Sequence, residues 1–514
     1  MWGLDIHVVA KQGEAAHLKG PDARLQLVVT ADDGADATRK VQYSVEPSGL
    51  LEVSASGLIK PLSNGRATVV ANLQGQADTR IEVLVEEIET SQPVNFANDI
   101  VPLFTKHGCN GGGCHGKTEG QNGFRLSLLG FEPPEDYEYL VKENRGRRLF
   151  PAAPEHSLLL RKGSGELPHG GGALFDRGSW DYMAIVRWME QGMPYGKEDD
   201  PKVESISVFP SSKIVQAGEE QQLSVMAVYS DGTLRDISGI ATYESNQKEM
   251  AEVDQTGLVT MSTAQTGDAA VMIRFQEQVS IFQATIPLGV PTENLPPVAN
   301  IIDEHVFAKL KVLGLPASGI CDDSTFLRRV TVDIAGRLPT LEEVDAFMND
   351  ASPDKRALSI DRLLASSDYA EYFANKWSAI LRNKRKGDTY TRGTQAFHEW
   401  IRGSLHSNKP FNRWVSELVT AKGEIAHNPA VAWFRNVSQQ KEQLQDVSQL
   451  FLGVRLQCAE CHHHPYEKWS QQDYYGFAAF FSRIGRKKAD MPGMDRVFHN
   501  RGKASANNPK TNQA

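Results

Sequence analysis

The sequence predicts a multidomain chain in which two all-β sandwiches alternate with a small α-helical domain and a larger α-helical domain. Three observations predict it. Short runs of alternating apolar and polar residues, broken by Gly and Asn, fill residues 1–90 and return over 203–289. Capped helical patterns occupy 93–197 between them, and from Pro296 onward the pattern is almost wholly helical. At 514 residues the chain is also too long for a single hydrophobic core, so a string of modules is expected.

The strand runs are of the kind Leu25-Gln26-Leu27-Val28-Val29 and Ala67-Thr68-Val69-Val70-Ala71. The two β stretches overlay at an offset of 200: Tyr43 meets Tyr243, Glu52-Val53 meets Glu252-Val253, and Gly57-Leu58 meets Gly257-Leu258. A repeat of that length implies two copies of one module. In the first helical stretch, Asn98 is expected to cap a short helix with Ile100, Val101, Leu103 and Phe104 on its inner side. A second helix is expected to run from a Ser179 cap through Trp180, Met183, Ala184 and Trp188 to a stop at Gly192. Over 299–485, Thr340 with Glu343 reads as a capping box, Pro353 after Ser352 as a first helical position, and Trp377 with Leu381 as an apolar stripe. About seven helices are expected there, followed by a mobile polar tail over 486–514.

Composition narrows the function. Apolar content of 40% with 23% charged residues is ordinary for a globular chain, and no apolar run is long enough to cross a bilayer. The net charge of −9 supplies no basic field for a nucleic-acid backbone or an anionic membrane. The first residues lack the basic, apolar and small-residue parts of a secretory signal, so the start reads as trimmed.

Chemistry concentrates in the cysteines. Of five, four fall in two tight clusters, unlike a disulfide framework, and Cys321 stands alone as a half-buried thiol. Cys458-Ala459-Glu460-Cys461-His462 has the spacing of a covalent haem c attachment site, in which two thiols bind the porphyrin and the following His supplies an axial nitrogen. Zinc held by Cys458, Cys461 and either His463 or His464 is the rival. Cys109-Asn110-Gly111-Gly112-Gly113-Cys114-His115 has a longer spacing. Its three glycines, taking positive φ, would let the loop bulge so that both sulfurs face one ring, with a Cys109–Cys114 disulfide as the alternative. Asp322-Asp323, Glu342-Glu343 and Asp333 are assigned to helix starts and turns, and Gly170-Gly171-Gly172 lacks the context of a phosphate loop.

With these residues in view, three resemblances emerge. The glycine after a strand end followed by Leu, Ile or Val, then Gly65 or Gly267, resembles bacterial immunoglobulin-like (Ig-like) domains of group 2. Phe96-Ala97-Asn98-Asp99-Ile100 through Cys114-His115-Gly116 to Trp188-Met189-Glu190-Gln191-Gly192 resembles the planctomycete-type cytochrome c domain. Ile302-Asp303-Glu304-His305-Val306, Arg328-Arg329-Val330-Thr331-Val332-Asp333, Asp361-Arg362-Leu363-Leu364-Ala365-Ser366, Leu450-Phe451-Leu452-Gly453-Val454-Arg455, His464-Pro465 and Asp473-Tyr474-Tyr475-Gly476 resemble the uncharacterised helical domain that accompanies such cytochromes in large exported bacterial proteins. The resemblance implies export, haem and a chain truncated at both ends, and brings no established substrate.

The expectation is an exported c-type cytochrome, periplasmic or at the cell surface, with two covalent haems working in electron transfer. Cys109, Cys114 and His115 would hold one, and Cys458, Cys461 and His462 the other. The distal ligand of the first iron is expected at His169 in Leu167-Pro168-His169, with Met193 second and Met183 and Met189 in the core. For the second iron, His398, His406 and His427 are candidates, and His464 is left to orient the site or approach another redox centre. A redox protein is the expected partner, with cell-surface or polysaccharide contact through the sandwiches. The alternatives are a haem-dependent oxidoreductase acting on extracellular polymer fragments and a zinc-bearing adhesive or structural protein.

Overall fold

The computed structural model describes residues 4–7, 15–90, 92–117, 119–385, 387–464 and 467–511. Two compact units result, one of Met1–Ala317 with Pro465–Lys468 and one of Ser318–His464 with Trp469–Ala514.

Both β stretches of the first unit fold as sandwiches, and their topologies match. In the first, Ala16–Lys19, Thr79–Glu86, Gly65–Asn72 and Gln42–Glu46 form one sheet in that spatial order, and Leu25–Gln26, Leu58–Pro61 and Leu51–Val53 form another. In the second, Ser212–Ile214, Gln278–Ile286, Gly267–Phe275 and Thr242–Ser245 repeat the first order, and Glu220–Gln222, Leu258–Met261 and Ala251–Val253 repeat the second. In each copy the edge strand, Ala16–Lys19 or Ser212–Ile214, runs parallel to the last strand, Thr79–Glu86 or Gln278–Ile286. Alternation does what the pattern requires: Leu18, Val69, Val83 and Val85 from one sheet pack with Leu25, Leu51 and Ile59 from the other. The residues 200 apart carry the same contacts. Tyr43 donates its hydroxyl to the Thr38 carbonyl and Tyr243 to that of Ser238, each at 2.8 Å. Gly57 and Gly257, at φ +78° and +77°, pass so close that a Cβ would meet those tyrosine rings or hydroxyls at 2.9 Å.

Between the sandwiches lies a small helical domain. Its first helical turns, Phe96–Ile100 and Val101–Lys106, bury Ile100, Val101, Leu103 and Phe104 as expected, but the cap is Asn95, which accepts the Asn98 N–H. Asn98 is instead used outward, donating to the Pro201 carbonyl and accepting from Gln276. Helices Pro133–Tyr137 and Leu158–Gly163 follow, then Trp180–Glu190, capped by Ser179 and closed before Gly192. Trp188 is fully buried and donates its indole N–H to the Pro194 carbonyl.

The helix Ile301–Leu313, capped by Asn300 and ended by Gly314, packs with this first unit. Leu288 N–H bonds the Leu313 carbonyl at 2.8 Å, and Lys309 reaches Asp268 at 2.6 Å.

The second unit is helical around Phe397, Ile401, Trp414, Leu418, Trp433 and Phe434. Among the described residues, its α-helices are Asp323–Ala335, Leu341–Asn349, Lys355–Leu364, Ser367–Ile380, Thr391–His406, Phe411–Val419, Ala432–Asn436, Gln440–Phe451 and Gln471–Ala478, more than the seven expected. The extra ones are short, and turns rather than periodicity separate them. The Thr340–Glu343 capping box is present, whereas Pro353 falls in the turn before a helix that starts at Lys355. The tail is corrected in part: Ile484–Lys487 and Arg496–His499 pair antiparallel, with Gly423–Glu424 on the other side. Val497 is buried there while its neighbours face water, so a polar composition hid a strand. No helix among the described residues is long and apolar enough to cross a membrane.

Candidate functional site

The first cysteine loop leaves helix Val101–Lys106 and winds back on itself. Cys109 N–H bonds the Phe104 carbonyl, Cys114 N–H that of Gly111, His115 N–H that of Cys109, and Gly116 N–H that of Gly111, at 2.8 to 3.0 Å. Gly111, Gly112 and Gly113 do not take the positive φ expected of them; Gly108 does, at +68°. The glycine the loop requires is Gly116, where an added Cβ would collide with the Asn110 carbonyl. Cys109 packs against the core of the unit. Burial, with the neighbouring Cys114 thiol, pushes the Cys109 pKa up to about 12. Both cysteines are free thiols.

His115 Nδ1 lies 2.9 Å from the Phe124 carbonyl oxygen. That oxygen only accepts, so Nδ1 carries the proton and Nε2 keeps its lone pair. Burial holds the ring below the usual histidine pKa, opposed by the Phe124 bond and reinforced by His169, Arg148 and Lys162. The ring of His169 stands nearly parallel to that of His115, at 8°, with centres 6.3 Å apart. Its Nδ1 likewise donates to a carbonyl, that of Gly172, at 3.1 Å. A Cβ on Gly171 would sit 3.1 Å from His169 Cε1, so that glycine makes room for the ring. The methionines lie otherwise: Met189 Sδ accepts from Ser157, Met193 packs on the core with its carbonyl held by Tyr137, and Met183 is exposed.

Sequence reasoning missed a cluster beside this loop. Asp181 Oδ2 accepts from Lys106 Nζ and His107 Nε2, both at 2.7 Å, and all three side chains are nearly buried. Burial raises the Asp181 carboxyl, but the His107 and Lys106 interactions outweigh it and leave the pKa below the usual range. Lys106 and His107 are adjacent at the end of one helix, but their common acceptor lies 74 residues on in another, so no local spacing announces the cluster.

At the second motif, Leu456–Glu460 forms a short 3₁₀ turn with Cys458 half-buried and Cys461 exposed. Glu460, between the cysteines, anchors the turn: its carboxylate accepts from Lys441 at 2.7 Å and Gln445 at 3.1 Å, and its carbonyl from Gln471 at 3.0 Å. His462 Nδ1 donates to the His463 carbonyl at 2.6 Å, which again leaves Nε2 with the lone pair. His464 is buried and holds the loop through the Arg455 carbonyl and the Trp469 carbonyl. The three distal candidates are differently placed. His398 is engaged at both nitrogens by Ser378 and Glu371, His406 ends an α-helix on the surface, and His427 is exposed beside Glu424. No group of three or more His, Cys, Asp or Glu is gathered for a metal ion among the described residues, so the zinc set of Cys458, Cys461 and His463 or His464 is not assembled. Pro465, quoted in the resemblance, lies outside the described residues. Asp322 and Glu343 are caps as expected, whereas Asp333 sits in the last turn of its helix.

Comparison with known proteins places two of these regions. Residues 301–486 match the family PSCyt2, described as a protein of unknown function (DUF1549), and 202–275 match the bacterial Ig-like domain (group 2). No curated protein matches the sequence. Among solved structures, the S-layer protein rSbsC(31-844) is 11% identical over 62% of this chain, with a TM-score of 0.16. The match spans only 32% of the length of that S-layer structure, about a third. SbsC domains 5-6 are 10% identical over 55% of this chain and 99% of theirs, at a TM-score of 0.21. The Clostridium thermocellum CbhA fibronectin(III)-like modules are 9% identical over 55% and 94%, at 0.13. At such TM-scores the likeness carries no argument. The chain therefore contains a bacterial Ig-like domain of group 2 at 202–275, with a second sandwich of the same topology before it, and a PSCyt2 domain at 301–486.

Proposed function

We propose that this chain is an exported c-type cytochrome that holds two covalent haems and passes single electrons, from the periplasm or the cell surface, to a redox partner protein. One observation carries the reading. At each motif two free thiols precede a histidine whose Nδ1 proton is committed to a backbone carbonyl, which leaves Nε2 as a ligand for iron. Cys109 and Cys114 at the first site, and Cys458 and Cys461 at the second, would form the thioethers, and His115 and His462 would supply axial nitrogens. Haem, when bound, supplies a one-electron ferric/ferrous couple. The residues of the chain hold it, exclude water on the Cys109 side and fix the imidazole orientation. The Ig-like modules suit a spacing role at a cell surface, with polysaccharide as a contact.

The test is a haem count. Protein matured in a host with haem-attachment machinery should give two haems per chain by pyridine haemochrome spectrum and a mass raised by two haem groups. A mass equal to the bare polypeptide would overturn the proposal.

A further inference from the structure

We infer that His169 is the second axial ligand of the haem iron that His115 would ligate, in the porphyrin that Cys109 and Cys114 would attach, which makes that site bis-histidine. The inference rests on the haem reading above and adds to it the ligand that decides potential and access.

Four observations converge. The two rings are nearly parallel with centres 6.3 Å apart, and two imidazoles that share one metal from opposite sides, at about 2 Å each through Nε2, have centres about 6 Å apart. Both Nδ1 atoms donate to carbonyls, Phe124 for His115 and Gly172 for His169, so both rings offer the same remaining nitrogen. A hydrogen bond of that kind fixes the tautomer and orientation of a metal-binding imidazole. Gly171 leaves the space that the His169 ring occupies. The methionines that could compete are committed elsewhere: Met189 to Ser157, Met193 to the core, Met183 to solvent.

Bis-histidine ligation has two consequences. The ferric iron is six-coordinate and low-spin, closed to small ligands, and its potential lies below that of a histidine–methionine site, because a thioether ligand raises it. The first site is thereby suited to outer-sphere electron transfer and not to binding oxygen or peroxide.

The experiment uses the matured full chain and the variants His169→Ala, His169→Met and Met193→Leu. Haem is counted first, and two per chain are expected in all, because the thioethers do not need His169; bare polypeptide in the parent chain would overturn the haem reading itself. With two haems counted, His169→Ala should convert one haem per chain to a high-spin ferric spectrum and bind one more equivalent of carbon monoxide, when reduced, than the parent. His169→Met should stay low-spin with an upward shift in the potential of one haem. Met193→Leu should leave spectrum and potential unchanged. An unchanged low-spin spectrum without new carbon monoxide binding in His169→Ala overturns the inference. Should that variant fail to mature, an unshifted potential in His169→Met does the same.

Discussion

Asp36 and Asp236 each serve the other's module: Asp36 Oδ2 accepts the Gln222 N–H and Asp236 Oδ2 accepts the Gln26 N–H, both at 2.6 Å. Each carboxylate keeps its other oxygen at home, on the Thr38 N–H at 2.7 Å and the Ser238 N–H at 2.8 Å. The glutamines match as well, Gln26 donating to Leu27 and Ser56 and Gln222 to Leu223 and Thr256. Two copies of one module thus meet with the same surface, as the subunits of a two-fold dimer do.

That pairing makes stability depend on pH. Burial pushes the Asp236 carboxyl up to about 6, so the folded state favours its protonated form. A raised pKa gives stability that is complete below the unfolded carboxyl range and is lost as pH rises through the folded value. Thermal unfolding of the first unit should weaken by roughly 2–3 kcal/mol from this group between about pH 4 and 6. Asp236→Asn should flatten that part of the profile, and an unaltered slope would refute the assignment.

Asp181 should behave in the opposite sense. Its lowered pKa gives stability that is present above the usual aspartate range and disappears as pH falls through the folded value. Asp181→Ala leaves Lys106 and His107 nearly buried without their common acceptor, an arrangement that costs about 3–5 kcal/mol. Denaturant midpoints at neutral pH should show that loss, and the gap between variant and parent should shrink in acid.

Gly116→Ala drives a Cβ into the Asn110 carbonyl, whereas Gly113→Ala meets open space. Matured Gly116→Ala should therefore carry one haem per chain, and Gly113→Ala two. Equal counts in the two variants would show that loop closure does not govern attachment.

The two cysteine clusters lie in different compact units. Cys458→Ser with Cys461→Ser should remove one haem and leave the other, together with the unfolding transition of the first unit. Loss of both haems would show that the units do not mature independently.

Much of the fold was legible because it repeats or is capped. Tyr43 and Tyr243, or Gly57 and Gly257, could be aligned by offset alone, and Ser179, Thr340 and Asp322 announce helix starts by local hydrogen bonding. What escaped depends on tertiary partners. Asn95 and Asn98 are equally good caps in sequence, and Pro201 and Gln276 decide between them by occupying Asn98. Val497 lies in a tail of polar composition and reads as part of a strand only once Gly423 and Arg486 pair with it. At the sites, cysteine spacing and the adjacent histidines are local and could be read directly. The closure by Gly116, the Glu460 anchor and the Asp181 cluster come from backbone path and contacts between distant elements, which no spacing encodes.

The helix Ile301–Leu313 draws a practical line through the molecule. Its sequence opens the PSCyt2 match, yet its last carbonyls and its Lys309 are bound to the closing strands of the preceding sandwich. A fragment excised at the family boundary would take this helix from its dock and uncover the Leu288–Val290 edge of the sandwich left behind. Cutting after Ala317 would keep this helix on its dock, so a boundary taken from homology alone would fall on the wrong side of it.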